Sequence, residues 1–412
     1  MISTVVIPTL NRQDQAIRAL SSFQLEARRT GRELKFLILD QTLERSDYPG
    51  CRVLRSEDVN AFIDLLVRKG FERDVLEFGL KGPYGGTRNV ALLATAGQHV
   101  LSTDDDTLAE FRAPDGQKLE SVRHGLEFTA KQRWFADRAE WRVQPASDVD
   151  FYAQHESMLG GKSNDGYEFR VLASGVIGDA GADTNSSMYL QDGIAREEFL
   201  ARYDELKTTR EMLQAVPEWY FTRVPFLRTF NFSFDNTRVL PPFLPAGRGE
   251  NAIFAKLLLL TEPKTCIGHM PWAVAHVPTN SRSYVSDITI PEHSPLISYA
   301  IESSGCKDLH GIGKALRDVG TVPVSDMQGL LTEFQTTVGS VLVSGYEATL
   351  KKYEHKPDNW ADGVNGILAQ LRNRAPVTVE FATEFQRVSV LFGKLLQCWS
   401  ELYEKSSVVF RT

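Results

Sequence analysis

Three consecutive carboxylates, Asp104, Asp105 and Asp106, carry the strongest chemical signal in the sequence. They follow a short apolar run, HVLST, and that run follows GGTRNVALLATAGQ, which has the composition of a helix. Like charges at the end of a buried strand destabilise the folded state unless a positive group lies beside them. Carboxylate and phosphate oxygens are the ligands that hard divalent cations prefer. The triplet therefore predicts a site for Mn²⁺ or Mg²⁺ and a diphosphate.

The alternation of side chains along a strand indicates which carboxylates would share a cation. Successive side chains point to opposite sides, so we expect Asp104 and Asp106 to face the cation and Asp105 to point away. The competing interpretation is a solvated acidic loop, the usual setting for a run of like charges. The position of the triplet directly after a strand favours the binding site.

The first hundred residues alternate between strand and helix patterns, which indicates the frame that positions these groups. Strands are predicted at 4–8, 35–40 and 99–103, and helices at 11–29, 59–69 and 87–96. Apolar runs separated by helices are typical of a mostly parallel sheet covered on both faces. Ligands bind outside the carboxyl ends of such strands, so Pro8, Asp40 and Asp104 are expected to converge on one crevice.

The runs VVIPTLNR, LILDQT and GGTRNVALLATAGQHVLSTDDD, in this order, resemble the donor half of GT-A glycosyltransferases of the family-2-like group. The resemblance covers residues 1–110. It implies a Rossmann-like α/β fold with a mostly parallel central sheet. It also implies a metal-dependent glycosyltransferase that moves a hexosyl or pentosyl group from a nucleotide-diphosphate sugar, most commonly a UDP-sugar, to an acceptor hydroxyl.

The resemblance also assigns roles to single residues. The Asp-x-Asp metal motif of the family maps to Asp104 and Asp106, and a histidine from a later strand, His276 ahead of His269, would join the cation. The other implied contacts to the nucleotide sugar are Pro8, Thr9, Asn11 and Arg12 beside the nucleobase and ribose, Asp40 on the base, and Arg88 and Asn89, with Asp104, near the diphosphate. Taken singly, Pro8 is also explained as a strand end, Asn11 as a helix cap and Arg88 as a surface residue.

A candidate general base lies in the run GRGEN. Inverting members of the family often carry Glu-Asp near this position, and this chain has Glu250 followed by Asn251. Glu250 would remove the proton of the acceptor hydroxyl; alternatively it only stabilises the amino end of a helix through the dipole. The other candidate carboxylates are Asp179, Asp183 and Asp235. A retaining reaction would need no such base.

The remainder of the chain predicts an acceptor half and a helical domain. Residues 111–290 hold a Gly-, Asp- and Ser-rich insertion, a helix at 196–214, the strand FNFSFDN, a helix at 250–260 and the strand-like run CIGHMPWAVAHVP. Helical periodicity dominates from 291 to 412, with helices predicted at 327–341, 346–352, 360–372 and 379–404. We expect a GT-A domain over 1–290 and a helical domain over 291–412 that could mediate homo-oligomer formation.

Composition limits the class of partner. A formal net charge of -7 and the lack of a basic stripe argue against nucleic acid. The start MISTVV has no basic region typical of a signal peptide, no apolar run reaches the length of a membrane span, and the four cysteines are scattered, so a cytosolic protein is expected. Two alternatives stay open: a nucleotidyltransferase, although no glycine follows the first strand, and a catalytically silent scaffold with a helical interaction domain.

Overall fold

The computed structural model describes residues 1–42, 47–82, 85–114, 123–124, 132–133, 141–144, 150–163, 166–179, 211–214, 219–278, 293–352 and 358–409. Its strands are β1 (Thr4–Thr9), β2 (Lys35–Asp40), β3 (Arg52–Arg55), β4 (Gln98–Thr103), β5 (Thr107–Pro114), β6 (Arg123–His124), β7 (Gln132–Arg133), β8 (Trp141–Gln144), β9 (Glu168–Asp179), β10 (Glu211–Gln214), β11 (Tyr220–Thr222), β12 (Asn231–Asn236) and β13 (Thr265–His276). Its helices are α1 (Gln13–Arg29), α2 (Ser56–Arg68), α3 (Arg73–Lys81), α4 (Gly85–Ala94), α5 (Phe151–Glu156), α6 (Glu250–Thr261), α7 (Ser294–Ser303), α8 (Leu309–Val319), α9 (Val324–Lys352), α10 (Asp358–Arg372) and α11 (Val379–Val409).

A mixed sheet forms the centre of this α/β protein. The longest path through the described strands runs β3-β2-β1-β4-β12-β9-β13-β11-β6. Strands β3, β2, β1 and β4 are parallel, whereas β12 is antiparallel to both β4 and β9. Because β1, β2 and β4 point the same way, their carboxyl ends meet at one edge. The prediction of an α/β fold is confirmed. The sheet is not mostly parallel, since the described parallel pairs are those among β1 to β4, the β9–β13 pair and the short β6–β11 pair.

The apolar strands are buried on both faces, as their unbroken hydrophobic runs predict. Val6 faces a core built with α2, α3 and α4, whereas Val5 and Ile7 face a core built with α1 and α5. The helices from α7 onward confirm the helical periodicity, and α11 extends the first core by inserting Trp399. The segments predicted as two helices at 327–341 and 346–352 form the single helix α9.

Predictions for other single elements also differ from the structure. Strand β3 and helix α3 are absent from the predictions, because the run RVLR has only four residues and α3 only nine. The helix expected at 196–214 is wrong at its end, since Glu211–Gln214 form β10, antiparallel to β9. Sheet pairing overrides the helical propensity of EMLQ there. Residues 196–210 lie outside the described residues, and the domain boundary at 290 stays a prediction.

Candidate functional site

The acidic triplet lies in a tight turn at the carboxyl end of β4. The amide of Asp104 donates to the carbonyl of Phe230 at 2.8 Å, and the amide of Thr107 donates to the carbonyl of Asp104 at 3.1 Å. The first bond ties the turn to the segment before β12, and the second closes the turn itself. Thr9 and Asp40, which end β1 and β2, are paired in register at the same edge.

Asp104 pairs with Arg88 of α4. Nη2 of Arg88 lies 2.9 Å from Oδ1 of Asp104, and the guanidinium lies over the rings of Phe232 and Phe243, 5.6 and 5.9 Å from their centres. Nη1 of Arg88 is buried and has no hydrogen-bond partner within the described part of the chain. Withdrawal from water raises the pKa of Asp104, Arg88 opposes that rise, and the charge of Asp106 adds to it. Arg88 is therefore a buried cation that pairs with Asp104 through Nη2, and it is not a surface residue.

Asp105 does not point away from this cluster, which corrects the expectation from strand alternation. Its Oδ2 accepts a hydrogen bond from Thr9 at 2.8 Å, and its Oδ1 lies 3.1 Å from Nη1 of Arg12. The chain has left the strand and entered a turn, so the two-residue period no longer holds. Burial raises the pKa of Asp105 to about 7, although Arg12 and Thr9 oppose that rise.

Asp106 joins β4 to the last residue of β13. Its Oδ1 lies 3.1 Å from Nε2 of His276, and its Oδ2 lies 2.9 Å from the same Nη1 of Arg12 that contacts Asp105. The side chains of Asp106 and His276 are only 3% and 1% exposed. The structure thus brings His276 to the triplet. It places His269 elsewhere, opposite Tyr220 of β11 and beside Phe226, where burial lowers its pKa to about 4.

The donor atoms fit a divalent cation in part. Two ligands about 2.1 to 2.2 Å from one cation at a right angle are about 3 Å apart, and Nε2 of His276 and Oδ1 of Asp106 have that spacing. Asp104 and Asp105 are already paired with arginine or threonine side chains. Within the described ranges, no group of three or more His, Cys, Asp or Glu side chains is arranged to hold a metal. The set therefore suits a cation that takes two protein ligands and completes its shell with phosphate oxygens and water.

The remaining residues expected at the nucleobase hold the ends of β1 and β2 together. Asp40 has no exposed surface, and it accepts hydrogen bonds from the Tyr48 hydroxyl at 3.0 Å and the Thr42 amide at 2.9 Å. Asn11 does not cap α1, since Arg12 is the N-cap residue. Asn11 adopts a φ of 55°, and its backbone amide donates to the Thr42 hydroxyl at 3.0 Å. Asparagine tolerates this left-handed conformation better than most residues.

Asp40 also lies 3.3 Å from the guanidinium of Arg55. Pro8 is the one partly exposed residue of β1, and it pairs in register with Leu39 of β2. Of this group, Pro8 and the exposed Asn11 have surface at the edge of the sheet, whereas Asp40 has none.

Asn89, which the resemblance places near the diphosphate, bonds to the backbone of two neighbouring segments. It is fully buried, and its Nδ2 donates to the carbonyls of Gly79 at 2.9 Å and Phe243 at 3.0 Å. Its Oδ1 accepts from the amide of Phe243 at 2.7 Å. Asn89 therefore uses its whole amide to join α4 to α3 and to the segment before α6.

Glu250 is the first residue of α6, where its charge is favourable towards the helix dipole, and it is 8% exposed. Gly249 before it adopts a φ of 90°, which favours glycine.

Among the alternative carboxylates, Asp235 lies opposite His99 at the far end of β4 and accepts from Thr237 at 2.6 Å, so it is remote from the triplet. Asp179 ends β9 and pairs with β10, and Asp183 lies outside the described residues.

Sequence reasoning missed two features of this site. The pairing of Arg12 with Asp105 and Asp106 has no sequence signal, because it depends on a turn after β4. The aromatic residues that flank Arg88, Phe232 and Phe243, come from a later strand and from the segment after it. The alternating run FNFSFDN signals Phe232 as a strand residue only, and nothing marks Phe243.

The chain was compared with known proteins. No protein-family model matches the sequence, and no curated protein matches it. Among the described residues, no helix combines the length and the apolar character that crossing a membrane requires.

Proposed function

We propose that this chain is a glycosyltransferase with a GT-A fold that moves a sugar from a nucleotide-diphosphate donor to an acceptor hydroxyl. One observation carries the proposal. Six charged or ionisable side chains converge at the carboxyl ends of parallel strands. They are the three carboxylates that follow β4, Arg12 before α1, Arg88 of α4 and His276 of β13. Ligands of open α/β sheets bind at this edge.

The two arginines suit a diphosphate. Arg88 has a buried guanidinium with N–H at Nη1 that is not used within the described residues, and its Nη2 is 2.9 Å from Oδ1 of Asp104. A phosphate oxygen is the natural acceptor for that N–H, because charge-assisted bonds from guanidinium to phosphate are strong. Arg12 is 38% exposed and already lies between two carboxylates, so it would hold them in place while its outer face meets the donor.

Asp106 and His276 would hold a Mn²⁺ or Mg²⁺ ion, with Asp104 at its edge. Such an ion would stabilise the charge that develops on the departing diphosphate. Glu250 would accept the proton of the acceptor hydroxyl in an inverting reaction. In a retaining reaction, an oxygen of the departing diphosphate would accept it.

One observation favours the alternative of a catalytically silent scaffold. Each carboxylate of the triplet already has an arginine partner, which is also what a structural ionic cluster requires. On that alternative, nucleotides would not bind and the C-terminal helices would carry the function. No observation favours the nucleotidyltransferase alternative, since PTLNR stands after β1 where a glycine-rich loop would be expected.

The proposal includes a cytosolic setting and self-association into a homo-oligomer. Cys51, Cys266, Cys306 and Cys398 are all free thiols, as is usual in a reducing compartment. Self-association would use the C-terminal helices, of which α9 has the most exposed apolar residues.

A thermal-shift panel tests the donor class. UDP, GDP, CDP and dTDP are each added with Mn²⁺, Mg²⁺ or EDTA. A ligand at 100 times its dissociation constant stabilises the fold by about 2.7 kcal/mol, which raises the melting temperature by a few degrees. A shift with one nucleotide that disappears in EDTA supports the proposal. A folded protein that shifts with none of the four contradicts it and favours the scaffold.

A further inference from the structure

Residues 237–249 connect β12 to Glu250, and they pass between the donor half and the C-terminal helices. This connecting segment has no regular secondary structure over most of its length. Leu240, Phe243 and Leu244 within it are nevertheless at most 1% exposed. A segment without its own hydrogen-bond ladder needs partners for its buried backbone groups. Those partners come from three helices.

Helix α4 binds the middle of the connecting segment. Asn89 bonds both the amide and the carbonyl of Phe243, as a neighbouring strand would. Gly85 lies so close to Leu244 that a Cβ atom at Gly85 would be 2.1 Å from the carbonyl oxygen of Leu244. The ring of Phe243 also lies beside the guanidinium of Arg88. The connecting segment therefore contacts, through the ring of Phe243, the arginine that pairs with Asp104.

Helix α11 binds the start of the connecting segment. Nε1 of the fully buried Trp399 donates to the carbonyl of Leu240 at 2.6 Å. The hydroxyl of Tyr403, one turn later, donates to the carbonyl of Asn236 and accepts from the amide of Gly97 at 3.0 Å. The Trp399 bond ties the connecting segment to a residue 159 positions further along the chain, and the Tyr403 bond holds Asn236, the last residue before the segment.

Helix α7 binds the end of the connecting segment. Ser294 donates its hydroxyl to the carbonyl of Gly249 at 3.1 Å, directly before Glu250. His293, next to it, packs against Phe381 and Phe385 of α11, with ring centres 5.2 and 6.4 Å away. The C-terminal helices thus hold the segment at both ends, and α4 holds its middle.

We propose that the connecting segment is a fixed template that sets the position of Glu250 relative to Arg88 and Asp104, and that Trp399 and Asn89 are positioning residues for Glu250. On this inference, which rests on the proposed function, the C-terminal helices belong to the catalytic unit. Asn89 then acts on the geometry of the base, and the diphosphate role that the resemblance gives it is not needed. Neither residue touches the donor or the acceptor.

Trp399→Phe tests the inference, because it keeps an aromatic ring and removes the N–H that holds Leu240. Gln386→Met is the matched control. Nε2 of Gln386 also donates from α11 to carbonyls, the partly buried ones of Val319 and Val322 at 3.2 and 2.6 Å, but these lie at the end of α8 and after it. Both variants should lower the melting temperature. Only Trp399→Phe should loosen residues 237–249.

Amide hydrogen exchange gives a readout that does not depend on activity. Exchange in residues 237–249 should become at least about tenfold faster in Trp399→Phe and stay unchanged in Gln386→Met. Equal exchange in this segment for wild type and Trp399→Phe would overturn the inference, even for a chain that binds no nucleotide.

Hydrolysis of UDP-glucose with Mn²⁺, followed by UDP release, gives the second readout. The inference predicts a kcat about 10- to 100-fold lower for Trp399→Phe, since small displacements of catalytic groups have effects of this size, with KM within twofold of wild type. Gln386→Met should keep the wild-type kcat. If the wild type is active and Trp399→Phe and Gln386→Met have equal kcat values, the template is refuted and the proposed function is not. A wild type that binds UDP, GDP, CDP and dTDP no better than a buffer blank would refute the function instead.

Discussion

Arg12 and Arg88 divide the acidic triplet between them, so three carboxylates face two guanidinium groups. Burial raises the pKa of both Asp104 and Asp105, because the two arginines do not offset the full cost of removing these carboxylates from water. A cation at Asp106 and His276 would correct this imbalance of charge. At the residue scale, this imbalance is the physical reason for expecting a ligand.

The first prediction concerns Arg88. In Arg88→Met the methionine fills most of the space beside Phe232 and Phe243, and the N–H donor for phosphate is lost. Hydrogen bonds to charged groups contribute about 1.5 to 3 kcal/mol, so the dissociation constant for UDP with Mn²⁺ should rise by about 10- to 100-fold. Isothermal titration calorimetry measures the change. Arg387→Met removes an exposed arginine that pairs with Glu384 three residues before it, and it is the control, with no expected change in affinity.

The second prediction concerns pH and His155. This histidine is fully buried against Phe151 and bonded through Nδ1 to Ser233 at 2.8 Å, and burial lowers its pKa to about 3. The unfolded chain binds its proton near pH 6.5. The free energy of unfolding therefore contains the full contribution of neutral His155 above pH 6.5. This contribution decreases as the pH falls from 6.5 towards 3.

At pH 5 the loss from His155 amounts to about 2 kcal/mol relative to pH 7.5. Urea unfolding at the two pH values measures it. His155→Gln, although less stable at pH 7.5, should lose about 2 kcal/mol less than wild type on acidification. An equal loss in both proteins would contradict a neutral buried histidine. His269 has a lowered pKa for the same reason and keeps its own contribution in both proteins.

At the scale of elements, helix α4 and the connecting segment 237–249 approach each other too closely for any side chain at Gly85. The third prediction is that Gly85→Ala destabilises the fold by about 1 to 3 kcal/mol, as overpacking does. Gly329 in α9 has open space around the position of a Cβ atom. Gly329→Ala should therefore stabilise the fold by about 0.5 to 1 kcal/mol, because alanine favours a helix interior. Denaturant unfolding measures the free energy of unfolding of both variants. Equal changes in Gly85→Ala and Gly329→Ala would contradict the close approach at Gly85.

The elements also explain how much the sequence could predict. Strands β1, β2 and β4 and helices α1 and α4 were predicted with the correct type. Strands buried on both faces have unbroken apolar runs, such as VVIP and FLIL, and these form a strong pattern. Strand β10 escaped prediction, because its pairing with β9 is decided by tertiary structure. The resemblance implied that Arg88 and His276 lie near the triplet, and the structure pairs them with Asp104 and Asp106. The contacts of Asp105 and Asn89 were not predicted, since they depend on a turn and on a distant backbone segment.

At the scale of the whole molecule, α9 is the most exposed of the long helices. Leu330 and Val341 are 55% and 68% exposed, and they lie on one side of α9 because they are about three turns apart. The fourth prediction is that this side supports self-association. Light scattering should give a mass above the 46.2 kDa of one chain, and Val341→Lys should return it to that of a monomer. A wild type that stays monomeric at high concentration would contradict the prediction.

The central claim is that the triplet binds the departing diphosphate of a nucleotide sugar with a divalent cation. The most direct measurement is nucleotide release from UDP-glucose, UDP-galactose, GDP-mannose and dTDP-glucose in Mn²⁺ or EDTA, by wild type and by Asp106→Asn. The account predicts release from at least one donor that stops in EDTA and falls at least about 100-fold in Asp106→Asn, since one lost electrostatic contact to a transition state has this effect. Release from none of the donors, or equal release by wild type and Asp106→Asn, would contradict it.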